Sequence, residues 1–211
     1  AKIEPILALK PDLAIGFSDI QADIAAELVR RGVEVWISNH RSVAGILDYV
    51  RRLGAMVGAA PKAEAYADAL ERGVDAVAAK AAHFPVRPRV YFEEWDEPRI
   101  SGIQWVAELV RIAGGDDIFP ELAAESLAKH RILANDEAIL ARDPQVVFGS
   151  WCGKKFQPGT VAARPGWERV SAVRDGQLFE IKSPIILQPG PAALTDGVAA
   201  IAAHIRAWAE A

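Results

Sequence analysis

Between residues 12 and 58 the chain alternates twice between a short apolar run and an amphipathic stretch. DLAIGF, behind Pro11, is a strand, and Ser18 and Asp19 then offer cap oxygens to the helix IQADIAAELVRRG, which sets Ile20, Ile24 and Leu28 on one face. Gly32 stops that helix, VEVWIS over 33–38 is a second buried strand, and after Asn39-His40-Arg41 the residue Ser42 caps SVAGILDYVRRLGAMVG. Parallel neighbours need a crossover of a dozen or more residues, and an intervening helix supplies it. Strand, helix, strand, helix therefore constrains the chain to an α/β fold with a parallel sheet.

From Pro61 the composition changes. KAEAYADALERGVDAVAAKAAHF is rich in Ala, Glu and Lys and predicts a strut-like helix of about 30 Å or more at 1.5 Å per residue. FPVRPR breaks it, and the βα rhythm resumes. RVYFEE (89–94) and QVVFGS (145–150) are strands, GIQWVAELVRIAGG is a helix closed by Gly114-Gly115, and DEAILAR is a helix capped by Asn135. VSAVRDGQLFEI is expected to form two short strands around an Asp175-Gly176 hairpin turn. The closing helix starts with Pro191 in its first turn and aligns Leu194, Val198, Ile201, Ile205 and Trp208. The expected organisation is a partial N-terminal α/β lobe over 1–58, a linking helix over 59–87 and a C-terminal α/β lobe over 88–211.

With 51% hydrophobic and 25% charged residues the chain has the means to build a core. A net charge of −4 gives no basic footprint for nucleic acid. No stretch reaches the 18 or so uninterrupted apolar residues of a membrane span, and no basic segment leading into an apolar run marks an export signal at the start. The single Cys152 excludes an internal disulfide and a CxxC redox or zinc motif.

In open parallel sheets, ligands sit at the carboxyl ends of strands. The residues following each strand here are Phe17-Ser18-Asp19, Asn39-His40-Arg41, Glu94-Trp95-Asp96, Trp151-Cys152-Gly153-Lys154-Lys155 and Lys182-Ser183. Their large aromatic residues suit a flat, partly apolar ligand better than a small ion. Catalytic signatures are missing: there is no GxSxG elbow, no HExxH, no P-loop and no GxGxxG. The four histidines have no metal-ligand spacing, and only His40 follows a strand. Cys152 with Lys154 and Lys155 behind it is the one nucleophile to consider, against a bland reading as a small thiol at a strand end. Glu93 and Glu94 are adjacent, so on a strand they point to opposite faces and cannot cooperate as acid and base. Trp36, Trp105 and Trp208 fit core positions, whereas Trp95, Trp151 and Trp167 lie in loops or beside Gly and Pro, where an exposed indole suggests ligand contact.

YFEEWDEPRISGIQWVAELVRIAGGDDIFPE, VVFGSWCGKKF, RPGW and EIKSPIILQPGPAALTDG, with KPDLAIGFSDIQADIAAELVRRGVEVWI before them, resemble the cobalamin-type substrate-binding proteins of bacterial ABC importers, a group that also includes siderophore and haem binders. The resemblance implies an α/β fold of two lobes with mainly parallel sheets, joined by one long backbone helix, with a metal chelate held in the cleft and handed to the permease subunits without catalysis or a resident cofactor. It implies that Phe17 contacts a corrinoid and that the Trp95 and Trp151 loops face it. With the strand-end rule, the expected ligand set is Phe17, Asp19, His40, Glu94, Trp95, Trp151, Cys152 and Lys182, with Glu94 and Asp96 as acceptors for the amide donors of a corrinoid. Asp23 stands where the family has a permease-docking acid in the first lobe, and the second lobe has no convincing match. The resemblance places the protein in the periplasm or at the cell surface. The alternatives are a ferric siderophore, met by Arg41, Lys154, Lys155 and Lys182, haem on His40, or an enzyme with Cys152 as nucleophile. Relatives begin with further strands of the first lobe, so either a longer chain or self-association is expected to cover the first sheet's edge.

Overall fold

The first βα alternation folds as read. In the computed structural model, which describes residues 2–211, α1 (Ile3–Ala8) leads to β1 (Ala14–Phe17), a 3-10 turn (Asp19–Gln21), α2 (Ala22–Arg30) and β2 (Val35–Ser38). The strands pair in parallel, from Ala14 opposite Val35 to Phe17 opposite Ser38. These elements form one compact unit, residues 1–40, and residues 41–211 form another. The first unit is thin: among its described residues Leu28 is the buried apolar side chain, and the strands are only partly covered.

The second unit opens with α3 (Val43–Met56), whose N-terminus is capped as expected: Ser42 Oγ accepts from the Gly45 amide at 3.0 Å. The expected strut is α4 (Ala60–Ala81), 22 residues and so about 33 Å long. It buries Ala63, Ala67, Leu70 and Val74, which its 3.6-residue period brings to one side. Its polar side carries Glu64, Asp68 and Glu71, which all pair with Arg51 of α3.

A five-stranded sheet follows. It is built from β3 (Arg89–Asp96), β4 (Arg99–Ser101), β5 (Asp116–Asp117), β6 (Val146–Gly149) and β7 (Leu178–Glu180), in the order β4-β3-β6-β7 with β5 also on β3. Pairing is parallel except for β4, which returns antiparallel to β3 through a cis Glu97–Pro98 peptide. Between the strands run α5 (Gln104–Ile112), α6 (Pro120–Ala123), α7 (Glu137–Arg142), α8 (Pro158–Ala162) and α9 (Ser171–Arg174); α10 (Ser183–Ile186) follows β7, and α11 (Val198–Ala209) closes the chain. The last helix is continuous with a π stretch at Ala193–Gly197, and Leu194, Val198, Ile201 and Ile205 are buried on it.

Strand alternation divides the core in two. Val90, Phe92, Val146 and Phe148 join Trp105, Leu109, Leu70 and Ile201 on one side of the sheet, whereas Tyr91, Val147, Trp151, Phe156, Ile139 and Trp167 form the other cluster. Glu93 lies two residues beyond Tyr91 and shares its face.

Two expectations are corrected here. VSAVRDGQLFEI is not a hairpin: Ser171–Arg174 is a helical turn, Gly176 takes the left-handed conformation (φ +67°) just past its end, and β7 pairs in parallel with β6. The Asp-Gly pair serves a helix terminus because Ala172 of that turn is buried in the second cluster. The residues Glu94-Trp95-Asp96 are also not a loop. They extend β3 and pair with β4 across a register shift between Glu93 and Trp95.

Candidate functional site

At the carboxyl ends of β1 and β2 the first unit gathers Phe17, Ser18, Asp19, Ser38 and His40. The Phe17 and His40 rings lie 5.1 Å apart. Ser38 Oγ and His40 Nδ1 are 2.7 Å apart, Gln21 Oε1 accepts from the Phe17 amide at 2.7 Å, and Ser18 Oγ donates to Asp19 Oδ1 at 2.8 Å. Ser18 is buried with φ +75°, an uncommon conformation for a residue with a side chain. Asp19 is exposed, and Asp23 is exposed in the first turn of α2.

In the second unit the strand ends are held by buried charge. The Glu93 carboxylate is fully buried and takes two hydrogen bonds from Arg164, at 2.7 and 2.8 Å. Tyr91 Oη and Trp151 Nε1 each donate to it at 3.2 Å. Four donors on one carboxylate satisfy a charge that would otherwise be prohibitive to bury. Burial works against the Arg164 charge, but the hydrogen bonds and field of Glu93 outweigh it and raise the guanidinium above its ordinary value. Burial, followed by the charge of Glu93, pushes the Tyr91 phenol well up, so it stays a donor.

Glu94 points to the other face, as alternation requires, and meets a second buried arginine. Arg131 is 1% exposed and reaches Glu94 Oε2 at 2.6 Å, Glu94 Oε1 at 3.3 Å and the Ser101 carbonyl of β4. The EEWD run is thus clamped from both faces, with Trp95 between the clamps. Trp95 is partly exposed and donates its indole N–H to the Glu97 carbonyl at 2.8 Å.

Asp96 pairs with Lys154, which arrives from the loop after β6. The Lys154 ammonium lies 5.0 Å from the Trp151 ring centre and 6.0 Å from that of Trp95, within cation–π range. That loop is short and pinned at both ends. Trp151 and Phe156 are buried with ring centres 5.0 Å apart, while Cys152, Gly153, Lys154 and Lys155 are exposed between them. Phe156 packs on Gly149, where a Cβ would lie 1.8 Å from its ring, and its amide donates to Glu180 Oε1 at 3.2 Å. Lys182 is exposed and pairs with Glu180, whose carboxyl this bond holds below its ordinary range.

The structure therefore brings Trp95, Asp96, Trp151, Cys152 and Lys154 together in the second unit, while Glu94 is turned to Arg131, and it brings Phe17, Asp19 and His40 together in the first. Lys182 sits at the neighbouring strand end. Trp151 is 4% exposed, its indole N–H spent on Glu93. Trp167 corrects its reading as an exposed loop indole: it is fully buried and donates to Asp136 at 2.7 Å. Trp36 is only partly buried. Glu94 and Asp96, expected as acceptors for ligand donors, already carry Arg131 and Lys154. Sequence reasoning missed Arg131 and Arg164, which lie 37 and 71 residues from their partners. Among the described residues no three His, Cys, Asp or Glu side chains gather to hold a metal, and no helix is long and apolar enough to cross a membrane.

Comparison with known proteins agrees with this architecture. Residues 1–185 match the model of a family described as periplasmic binding protein. A vitamin B12-binding protein of Vibrio parahaemolyticus is 23% identical over 197 residues, spanning 92% of this chain and 68% of that protein. Among solved structures, the periplasmic vitamin B12-binding protein BtuF of Vibrio cholerae superposes with a TM-score of 0.73 at 23% identity, over 99% of this chain and 78% of that one. IsdE of Staphylococcus aureus, complexed with haem, superposes with a TM-score of 0.78 at 16% identity, over 96% of this chain and 80% of that one. At such identities the structural likeness fixes the fold.

Proposed function

The chain belongs to the periplasmic binding protein family, and we propose that within it this protein captures a corrinoid and delivers it to the permease of an ABC importer. Family membership makes it a solute binder rather than an enzyme, so Cys152 is a loop thiol at the site and not a nucleophile. The observation that carries the corrinoid reading is the partly exposed Trp95 with Lys154 beside it at the end of the clamped EEWD strand, backed by the buried Trp151, a partly apolar surface suited to a flat macrocycle. The relative that binds vitamin B12 supports the same class.

An anionic ferric siderophore or haem is the second reading, favoured by the exposed Lys155 beside Lys154 and Lys182. Two of those three cations are already neutralised, Lys154 by Asp96 and Lys182 by Glu180, which weakens their appeal to an anion. Phe17 and His40 are assigned to the ligand on the first unit, and the exposed Asp23 to the permease. A periplasmic or cell-surface location follows from this role.

A tryptophan-fluorescence titration with cyanocobalamin, haemin and a ferric hydroxamate in parallel tests the proposal. Saturable quenching by cyanocobalamin at micromolar concentration or below, with the other two weaker, is expected. Tighter binding of haemin or the hydroxamate would transfer the protein to the second reading.

A further inference from the structure

Asp96 and Lys154 are an uneven ion pair. The Asp96 side chain is 14% exposed and the Lys154 side chain 50%, so the carboxylate is anchored in the protein while the ammonium ends a flexible four-carbon stem near solvent. Only one carboxylate oxygen is used: Oδ2 takes the lysine, while Oδ1 is buried and has no hydrogen-bond partner. A buried acceptor left unpaired costs about 1–3 kcal/mol. The ammonium has three N–H donors, and its Asp96 bond engages one of them. The pair thus keeps an unused acceptor and unused donors side by side, with the Lys154 ammonium within cation–π range of the two indoles that the clamped strand and the pinned loop hold in place.

One neutral group complements that arrangement. A primary carboxamide carries a carbonyl acceptor and an N–H2 donor on adjacent atoms, so its oxygen accepts from Lys154 while its N–H donates to Asp96. A carboxylate satisfies Lys154 but brings its second oxygen against Asp96. A simple hydroxyl satisfies one partner at a time. We infer that Asp96 and Lys154 form a carboxamide-reading couple that selects flat ligands edged with primary amides over the same ligands edged with carboxylates. Lys154 swings on its stem to admit the amide, and Asp96 stays with the strand. This rests on the corrinoid reading, because it assigns the subsite for that macrocycle's side chains.

The test compares two probes on three proteins: cyanocobalamin and the same corrinoid with peripheral carboxamides hydrolysed to carboxylates, each titrated into the wild type, Asp96→Asn and Lys154→Met. The readout is the ratio of the two affinities within each protein, which cancels any loss of folded material. The wild type should prefer the amide form about tenfold or more, which corresponds to at least about 1.4 kcal/mol. Asp96→Asn, which replaces the repelling oxygen by a donor, should erase most of that preference. Lys154→Met should widen it, because only the carboxylate form loses a charge attraction. Opposite movements of the ratio support the couple, whereas a ratio unchanged in both variants, or shifted the same way in both, overturns it. Binding of neither probe by the folded wild type would instead overturn the corrinoid reading and this inference with it.

Discussion

The two units place polar residues at the same ends of their parallel strands, yet they hold them by different means. At the ends of β1 and β2, Phe17, Asp19 and His40 are kept by short-range bonds to neighbours no more than four residues away, from Gln21, Ser18 and Ser38. At the ends of β3 and β6, Glu93 is tied to Arg164 and Trp151, and Glu94 to Arg131, across tens of residues in a buried setting. The contrast follows from core size. A two-stranded sheet with one buried apolar residue among those described offers little low-dielectric volume, whereas a sheet covered on both faces can shield an ion pair and so strengthen and orient it. The second unit therefore presents a preorganised surface, whereas local turn chemistry contributes to the first.

That contrast breaks most readily at Arg164. Replacing it by Met leaves the Glu93 charge buried and unpaired, and chemical denaturation should show a loss of about 3–5 kcal/mol. A similar loss without any change in m-value would confirm that the pair, and not the compactness of the unfolded state, is responsible.

A pH series on Asp117 probes the same low-dielectric interior. Burial raises its carboxyl from 3.8 to about 6. Because the folded value lies above the unfolded one, the protonated form is the one the fold favours. Its stabilising contribution is complete below pH 3.8 and is lost as the pH rises through 6, a change of about 3 kcal/mol for two units. Asp117→Asn should remove that slope between pH 4 and 6 while an amide oxygen still accepts from the Phe119 amide, now at 2.9 Å. Stability measured in urea at several pH values would show a flatter profile for the variant, and an unchanged slope would mean another group causes it.

On the ligand side, Trp95→Ala should weaken cyanocobalamin binding by more than about 1 kcal/mol with folding intact. Trp167→Ala, by contrast, should damage stability, since that indole lies in the core and not at the surface. The smallest effect sharpens the other half of the comparison. Gln21→Ala removes one acceptor from the Phe17 amide and should cost only about 1 kcal/mol of stability.

Much of the frame was legible because it is local. The Ser42 cap, the 22-residue helix from Ala60 and the buried stripe of the last helix all follow from periodicity and end signals within a few residues. Asp175-Gly176 misled because the same dipeptide suits a hairpin turn and a helix terminus, and only the burial of Ala172 distinguishes them. The site was half legible. Strand-end position and residue type brought out Trp95, Trp151 and Asp96 and its neighbours, and alternation correctly separated Glu93 from Glu94. What each carboxylate does was hidden, because Arg131, Arg164 and Lys154 come from distant segments and carry no local signal of their destination. Trp167, flanked by Gly166, resembled a loop indole while in fact filling the second cluster.

The central claim, that the clamped strand end of the second unit grips the macrocycle, is tested most directly by following the six indole N–H resonances by nuclear magnetic resonance during a cyanocobalamin titration. The account predicts that Trp95 and Trp151 shift first and most, that Trp105 and Trp167 in the two cores stay in place, and that Trp95→Ala abolishes the Trp151 response at matched ligand concentration. Saturable binding that leaves both Trp95 and Trp151 unmoved would contradict it.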